Sequence, residues 1–232
     1  TSINTLCVES SGDYVFSGDI GGFVYFSDIM TSKVLLEVNI DDKIKSIQYN
    51  SFLSLVAVCC DGGVYFLRPK FLRRKNETPE LLEEKIIPLV AEKAKEDNDS
   101  TEKNEKENYY WKIHDDKKSK KNGLLFSLHK KTGNFISLNW HCKGDFFSVL
   151  GKSELGKTHV NIFNLSSLQY FSPSNKNKGE IRSVSFHPTK PQFYVCSESN
   201  VLIYDLKQQE LIRKFVSNLN RIISICLHPL GT

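Results

Sequence analysis

The chain has little that would place it in a membrane or equip it for chemistry. None of its apolar runs approaches the roughly 20 residues of a membrane helix. Its opening stretch, "TSINTLCVES", has neither the basic start nor the apolar segment of a secretory signal. The six cysteines (Cys7, Cys59, Cys60, Cys142, Cys196, Cys226) form no C-x-x-C pair, so the paired ligands of a structural zinc site are missing. Most sit in apolar runs such as "SLVAVCCDGG" and read as buried free thiols of a reducing compartment. Neither sign of charge dominates: 31 Lys and Arg against 27 Asp and Glu leave a net +4, which permits contact with nucleic acid without requiring it. No Ser-His-Asp, Cys-His or paired-carboxylate arrangement stands out. The reading is therefore not an enzyme, with no cofactor, no metal, no membrane and no small-molecule substrate.

What the chain does have is a repeat. One pattern (apolar, any, Ser or Thr, apolar, any, apolar, then His, Asn or Glu) recurs as "INTLCVE" from Ile3, "IKSIQYN" from Ile44, "FISLNWH" from Phe135, "IRSVSFH" from Ile181 and "IISICLH" from Ile222. Successive starts lie about 40–45 residues apart, the period of WD-type propeller blades, except for one gap of about two periods that implies an insertion. Each repeat continues through a polar turn, an apolar run ("YVFSGD", "FYVCS"), a second turn and further runs such as "VLIYDL" and "ELIRKFV". Rich in Val, Ile, Phe and Tyr and bounded by Gly, Asp, Asn and Pro, these read as four strands per repeat. The expected fold is all-β: a WD-repeat β-propeller of four-stranded antiparallel blades. Four blades and a stub of a fifth leave the ring open, so the chain reads as part of a seven-bladed ring. Blades occupy residues 1–68 and 131–232, the latter truncated within the fifth repeat. Residues 69–130, dense in Lys, Glu, Asp and Asn, read as a charged and mostly disordered insertion. Within it "PELLEEKIIPLVAEKAK" has helical character interrupted by Pro88, and "KKSKK" (residues 117–121) reads as a solubilising run or an RNA-contact patch.

One motif pulls the other way. "GKSELGKT", residues 151–158, satisfies the P-loop pattern G-x-x-x-x-G-K-[ST]. A working P-loop leads into a helix whose N-terminus holds the phosphates. Here "HVNIFNL" follows, alternating and β-branched, which is a strand. In register with the other repeats, the motif is the turn between a blade's second and third strands. The apparent Walker B element "VLIYD", ending at Asp205, is likewise a third strand. His141, His187 and His228 recur at one slot after each first strand and read as turn or packing residues. Asp13, Asp19, Asp28, Asp61 and Asp145 read as turn residues.

The second half carries a closer likeness. "SLNWHCKGDFFSVL", "GEIRSVSFHPTKPQFYVCSESNVLIYDLKQQELIRKFV" and "IISICLHPLG" resemble the block-of-proliferation family of eukaryotic ribosome biogenesis WD-repeat proteins. The likeness runs from about Phe135 to Gly231. The first half fits more weakly, through "GFVYFSD", "LVAVCCDGGVYFLRP" and the charged insertion. Gly-His and Trp-Asp dipeptides, usual in WD repeats, are absent. The resemblance implies a scaffold in large ribosomal subunit assembly and ribosomal RNA processing, in the nucleolus and nucleoplasm of the nucleus. It implies a pescadillo-type protein and a WD-repeat protein with a ubiquitin-like domain as partners, together with pre-ribosomal RNA. If RNA is bound, the expected contacts are basic residues in turns and inter-blade loops: Lys143, Lys152, Lys157, Lys176, Lys178, Lys190 and Arg221. The alternatives are a WD-repeat adaptor in another complex, such as a ubiquitin ligase or a signalling assembly, and a P-loop nucleotide hydrolase.

Overall fold

The computed structural model describes residues 2–72, 80–99, 108–173, 179–218, 221–223, 225–228 and 231, with side chains in the 80–99 segment described for 82–95. The described residues form two compact units, Thr1–Ile136 and Ser137–Thr232.

The first unit holds two blades. β1 (Ile3–Val8), β2 (Tyr14–Asp19), β3 (Phe23–Asp28) and β4 (Lys33–Asn39) make one antiparallel meander. β5 (Ile44–Asn50), β6 (Leu55–Cys60) and β7 (Gly63–Leu67) begin the next. Its fourth strand, β9 (Leu124–Lys130), arrives only after a long excursion, and β8 (Tyr109–Ile113) adds a fifth strand outside it, giving the order β5-β6-β7-β9-β8.

The second unit carries the other two blades. β10 (Asn134–Trp140), β11 (Phe146–Lys152), β12 (Thr158–Asn164) and β13 (Tyr170–Phe171) form one. β14 (Ile181–Phe186), β15 (Gln192–Ser197), β16 (Asn200–Asp205) and β17 (Leu211–Val216) form the other. These are the four-stranded antiparallel blades of a partial β-propeller.

The repeat has a structural meaning in each blade. The register of the first strand on the second slips at the same place in three blades: between Ile3 and Thr5, Ile44 and Ser46, and Ile181 and Ser183. The Ser or Thr of the pattern sits just past that bulge, opposite Gly18, Cys59 and Cys196 respectively. Gly18 has no room for a side chain. A Cβ there would come within 2.8 Å of Ile44 Cγ2 and 2.9 Å of Ile47 Cδ1, so blade 1 approaches blade 2 through bare backbone. Aromatic pairs meet directly across the second and third strands: Phe16 and Phe26 tilted at 59° (5.2 Å), Phe147 stacked on Phe163 (5.1 Å) and Phe193 stacked on Tyr204 (5.1 Å). Such pairs add about 0.5–1.5 kcal/mol to area burial.

The 69–130 reading needs correction. The charged excursion is narrower, running between β7 and β9, and its described part is folded. A π-helical turn, Glu80–Ile86, continues into α1 (Ile87–Asp99), which packs on β8. Leu82, Ile86, Val90 and Ala94 recur every fourth residue and are buried, forming one apolar stripe. Pro88 does not break this helix. It lies just past the point where π-helical bonding over Glu80–Ile86 gives way to α-helical bonding at Ile87, and the helical run continues through it. "KKSKK" begins a second short helix, α2 (Lys117–Asn122), capped by Asp116, whose Oδ1 accepts from the N–H groups of Lys118 and Ser119 at 3.0 Å. Gly123, at φ 73°, ends it and returns the chain to the blade: its carbonyl accepts from Arg68 N–H at 2.7 Å. The expected disorder of residues 73–79 and 100–107 lies outside the described residues.

The fifth-repeat reading also changes. Among the described residues of 221–231 there is no strand, and Ile223 is 82% exposed. A backbone bond runs from Ile222 N–H to Glu198 O at 2.7 Å. The turn still forms, with Gly231 N–H donating to His228 O at 2.8 Å.

Candidate functional site

The slot at the end of each repeat pattern is polar and recurrent, and it is buried in four of the five repeats; in the fifth, His228 is exposed. Glu9, Asn50, His141 and His187 occupy it, all less than 9% exposed. Three of them accept backbone N–H groups from the turn that follows. Glu9 Oε2 takes Ser11 N–H at 2.8 Å; Asn50 Oδ1 takes Phe52 and Leu53 N–H at 3.0 and 3.1 Å; His187 Nδ1 takes Thr189 and Lys190 N–H at 3.1 and 3.0 Å. His141 instead shares a 2.8 Å hydrogen bond between its Nδ1 and Asp145 Oδ1. The turns themselves are largely exposed, and the buried slot side chains fix them by accepting their backbone N–H groups. The imidazoles are thus turn residues, as the sequence suggested. The aspartates behave likewise: Asp19 Oδ1 accepts from Phe23 N–H at 2.9 Å, and Asp28 Oδ1 from Thr31 N–H at 2.7 Å. Burial raises the thiols of Cys7, Cys59, Cys60 and Cys196, Cys59 to about 12, so these are protonated thiols rather than nucleophiles. Cys142 and Cys226 depart from the buried reading and are exposed.

The P-loop lookalike is a β-hairpin. β11 ends at Lys152 and β12 begins at Thr158, directly across from it. Three of the turn's amides are spent internally. Ser153 N–H donates to Lys157 O and Gly156 N–H to Ser153 O, both at 2.9 Å; Lys157 N–H donates to Ser153 Oγ at 3.2 Å. The hydroxyl that a P-loop offers to magnesium is also engaged, since Thr158 Oγ1 accepts from Ile181 N–H at 2.7 Å. No helix follows, so neither the dipole nor the amide nest that holds a nucleotide is present here. The Walker B lookalike falls with it: Asp205 closes strand β16, and its Oδ1 accepts from Lys207 and Gln208 N–H.

Strand topology sorts the basic candidates by end, because successive turns of a meander lie at opposite ends of the sheet. Lys143 and Lys190 lie in the turns that follow the first strands β10 and β14. Lys152 and Lys157 lie at the other end, on the β11–β12 hairpin, and Lys152 is the last residue of a strand rather than a turn residue. Arg221 follows β17 and is paired with Glu198 at 3.6 Å; Glu198 is also bonded to Arg182. All five are exposed. Lys176 and Lys178 lie outside the described residues. The seven therefore do not form one patch. Two come together with a cavity: a cleft of about 840 Å³ is lined by Lys152, Ser153, Gly156, Lys157, Thr158 and His159 on one side and by Gly179, Glu180 and Ile181 on the other.

A second polar cluster escaped the sequence reading. His114 Nε2, Ser127 Oγ and His129 Nε2 form a chain of 2.8 Å hydrogen bonds, and His129 Nδ1 reaches Gly62 O at 3.2 Å. With Gly62 O able only to accept, protons order along it: His114 N–H to Ser127, Ser127 O–H to His129, His129 N–H to the carbonyl. Burial holds both imidazoles below their ordinary range, and the Lys112 charge adds to the effect. Ser127 is fully buried, so the relay knits β8 to β9 rather than meeting a substrate. Ser127 and His129, two apart on one strand, were a legible same-face pair. Their partner His114, across a 13-residue excursion, was not.

The chain matches no protein-family model. It is similar over 99% of its length to several curated proteins. A ribosome biogenesis protein ERB1 of Eremothecium gossypii is 31% identical, with 30% of its own length covered. Ribosome biogenesis protein bop1-B of Xenopus laevis is 27% identical, also with 30% covered. A BOP1 homolog of Drosophila grimshawi is 28% identical, with 28% covered. The chain thus spans under a third of the length of these relatives. Blade fold, repeat slots and similarity over 99% of this chain agree: the chain is related to one part of the ribosome biogenesis proteins named BOP1 and ERB1.

Proposed function

We propose that the protein acts in ribosome biogenesis as a non-catalytic scaffold of the large-subunit pathway, working in the nucleolus and nucleoplasm. The observation that carries this reading is the end-to-end similarity to proteins named for ribosome biogenesis. The chemistry of the described residues agrees with it. Its conspicuous histidines and aspartates hold turns, its one nucleotide-like motif is a hairpin, and burial protonates four of its six thiols. Blades present rigid ends and loops for partners. A pescadillo-type protein and a WD-repeat protein with a ubiquitin-like domain are the proposed protein partners. Pre-ribosomal RNA is the proposed nucleic-acid partner, met through exposed lysines.

Affinity purification of the full-length protein tests this. Precursor particles of the large subunit and both partner proteins are expected to co-purify, surviving moderate salt. Recovery of ubiquitin-ligase or signalling subunits without ribosomal precursors would contradict the proposal and favour a WD-repeat adaptor in another complex.

A further inference from the structure

We propose that the cleft between the β11–β12 hairpin and residues 179–181 binds an RNA phosphodiester, the proposal resting on the RNA-contact reading above. Several features of the cleft converge on a phosphate ester. At about 840 Å³ it has room for a nucleotide-sized group. Two ammonium groups, Lys152 and Lys157, stand on its rim, and the half-buried His159 lines its wall. Among the described residues neither lysine has an ion-pair partner. Glu180 is the one carboxylate among the lining residues, and Arg182 Nη2 neutralises it at 3.1 Å. The acidic residue of the hairpin, Glu154, does not line the cleft. The cleft is therefore basic in balance.

It is also built rather than loose. Three hydrogen bonds fix the hairpin, and Gly156, at φ 77°, closes its turn. The 2.7 Å bond from Ile181 N–H to Thr158 Oγ1 ties the opposite wall to the base of β12. The lysines are thus mounted on a preorganised frame, which lowers the ordering cost of binding.

The same hydrogen bonds decide what kind of phosphate enters. A nucleotide's triphosphate needs free backbone amides and a magnesium-binding hydroxyl, and here Ser153, Gly156 and Lys157 N–H and Thr158 Oγ1 are all occupied. The charge the cleft offers comes from the lysines, as point charges. These suit a singly charged phosphodiester, contacted without base readout. No Phe, Tyr or Trp ring lines the cleft, and His159 is half-buried. The site therefore adds affinity and position with little sequence preference.

The test is fluorescence anisotropy of a labelled single-stranded ribo-oligonucleotide with the full-length protein at increasing salt. Reversing Lys152→Glu and Lys157→Glu together is expected to weaken binding about tenfold or more. The log–log salt slope should fall by about 1.4, the loss of two phosphate contacts on a single strand. Reversing Lys143→Glu and Lys190→Glu, an equal change of charge at the opposite end of the blades, is expected to change affinity by no more than about twofold. Thermal unfolding of both variants should match the parent. Equal losses from both pairs, or loss only from the second, would overturn the cleft assignment while leaving RNA binding standing. A parent protein that binds no RNA would overturn both readings. Inorganic phosphate and ATP serve as competitors. Displacement of the RNA by either at micromolar concentration would mark a small-anion site instead, and a magnesium requirement for ATP would restore the nucleotide reading.

Discussion

Phe193→Ala is expected to destabilise the second unit by about 3–5 kcal/mol, the usual cost of removing a buried phenylalanine ring. Phe193 is 0% exposed in β15. Its ring lies parallel to Tyr204 at 5.1 Å and 9°, with Phe171 at 6.0 Å and Phe186 at 6.3 Å. The last blade has little else of that size at its centre, the remaining members of the cluster being mostly aliphatic. Truncation therefore leaves a cavity that four strands cannot close together. Chemical denaturation followed by circular dichroism reads the loss as a lower midpoint at unchanged slope. Phe52→Ala is the control: that ring is 64% exposed, and its loss should cost under about 0.5 kcal/mol. A Phe193 variant no less stable than the Phe52 variant would show that the blade core is misassigned.

His187→Ala is expected to cost about 1–3 kcal/mol, because it removes a buried acceptor that holds two turn N–H groups rather than only apolar area. Its Nδ1 accepts from two backbone N–H groups in a turn where the histidine is 4% exposed. Asn50 performs the same service in blade 2 with its side-chain oxygen. His187→Asn should therefore recover a substantial part of the stability that alanine loses. Rescue of this kind separates a hydrogen-bonding role from mere bulk. If asparagine and alanine destabilise equally, the slot acts through packing and the shared logic of Glu9, Asn50 and His187 fails.

The blades were legible because their determinants are local. Strands such as "YVFSGD" and "NVLIYD" carry apolar residues with turn residues at each end, and the repeat pattern returns wherever a first strand crosses onto a second. The P-loop motif was correctly discounted for the same reason, since the alternation after Thr158 is visible in the sequence. The second blade's outer strands were not legible. β9 follows an excursion of more than fifty residues, and "LLFSLHK" carries no mark that it belongs beside β7. Its pairing is set by tertiary closure, including the Gly123 return to Arg68. Pro88 misled because proline usually kinks or breaks a helix interior, whereas here it sits where a π-helical segment passes into α1, an irregularity that only the structure shows. The candidate site was half legible. Exposed lysines can be named from composition, but their separation into two ends follows from strand direction. The cleft depends on residues 23 apart in sequence meeting through Thr158 and Ile181.

The central claim is a role in ribosome biogenesis, carried by sequence similarity and by a fold whose reactive-looking residues are structural. Conditional depletion of the full-length protein, followed by sedimentation of ribosomal subunits, tests it most directly. The account predicts a fall in free large subunits relative to small ones, with accumulation of large-subunit ribosomal RNA precursors before any general loss of translation. An unchanged subunit ratio and normal precursor levels after complete depletion would contradict it.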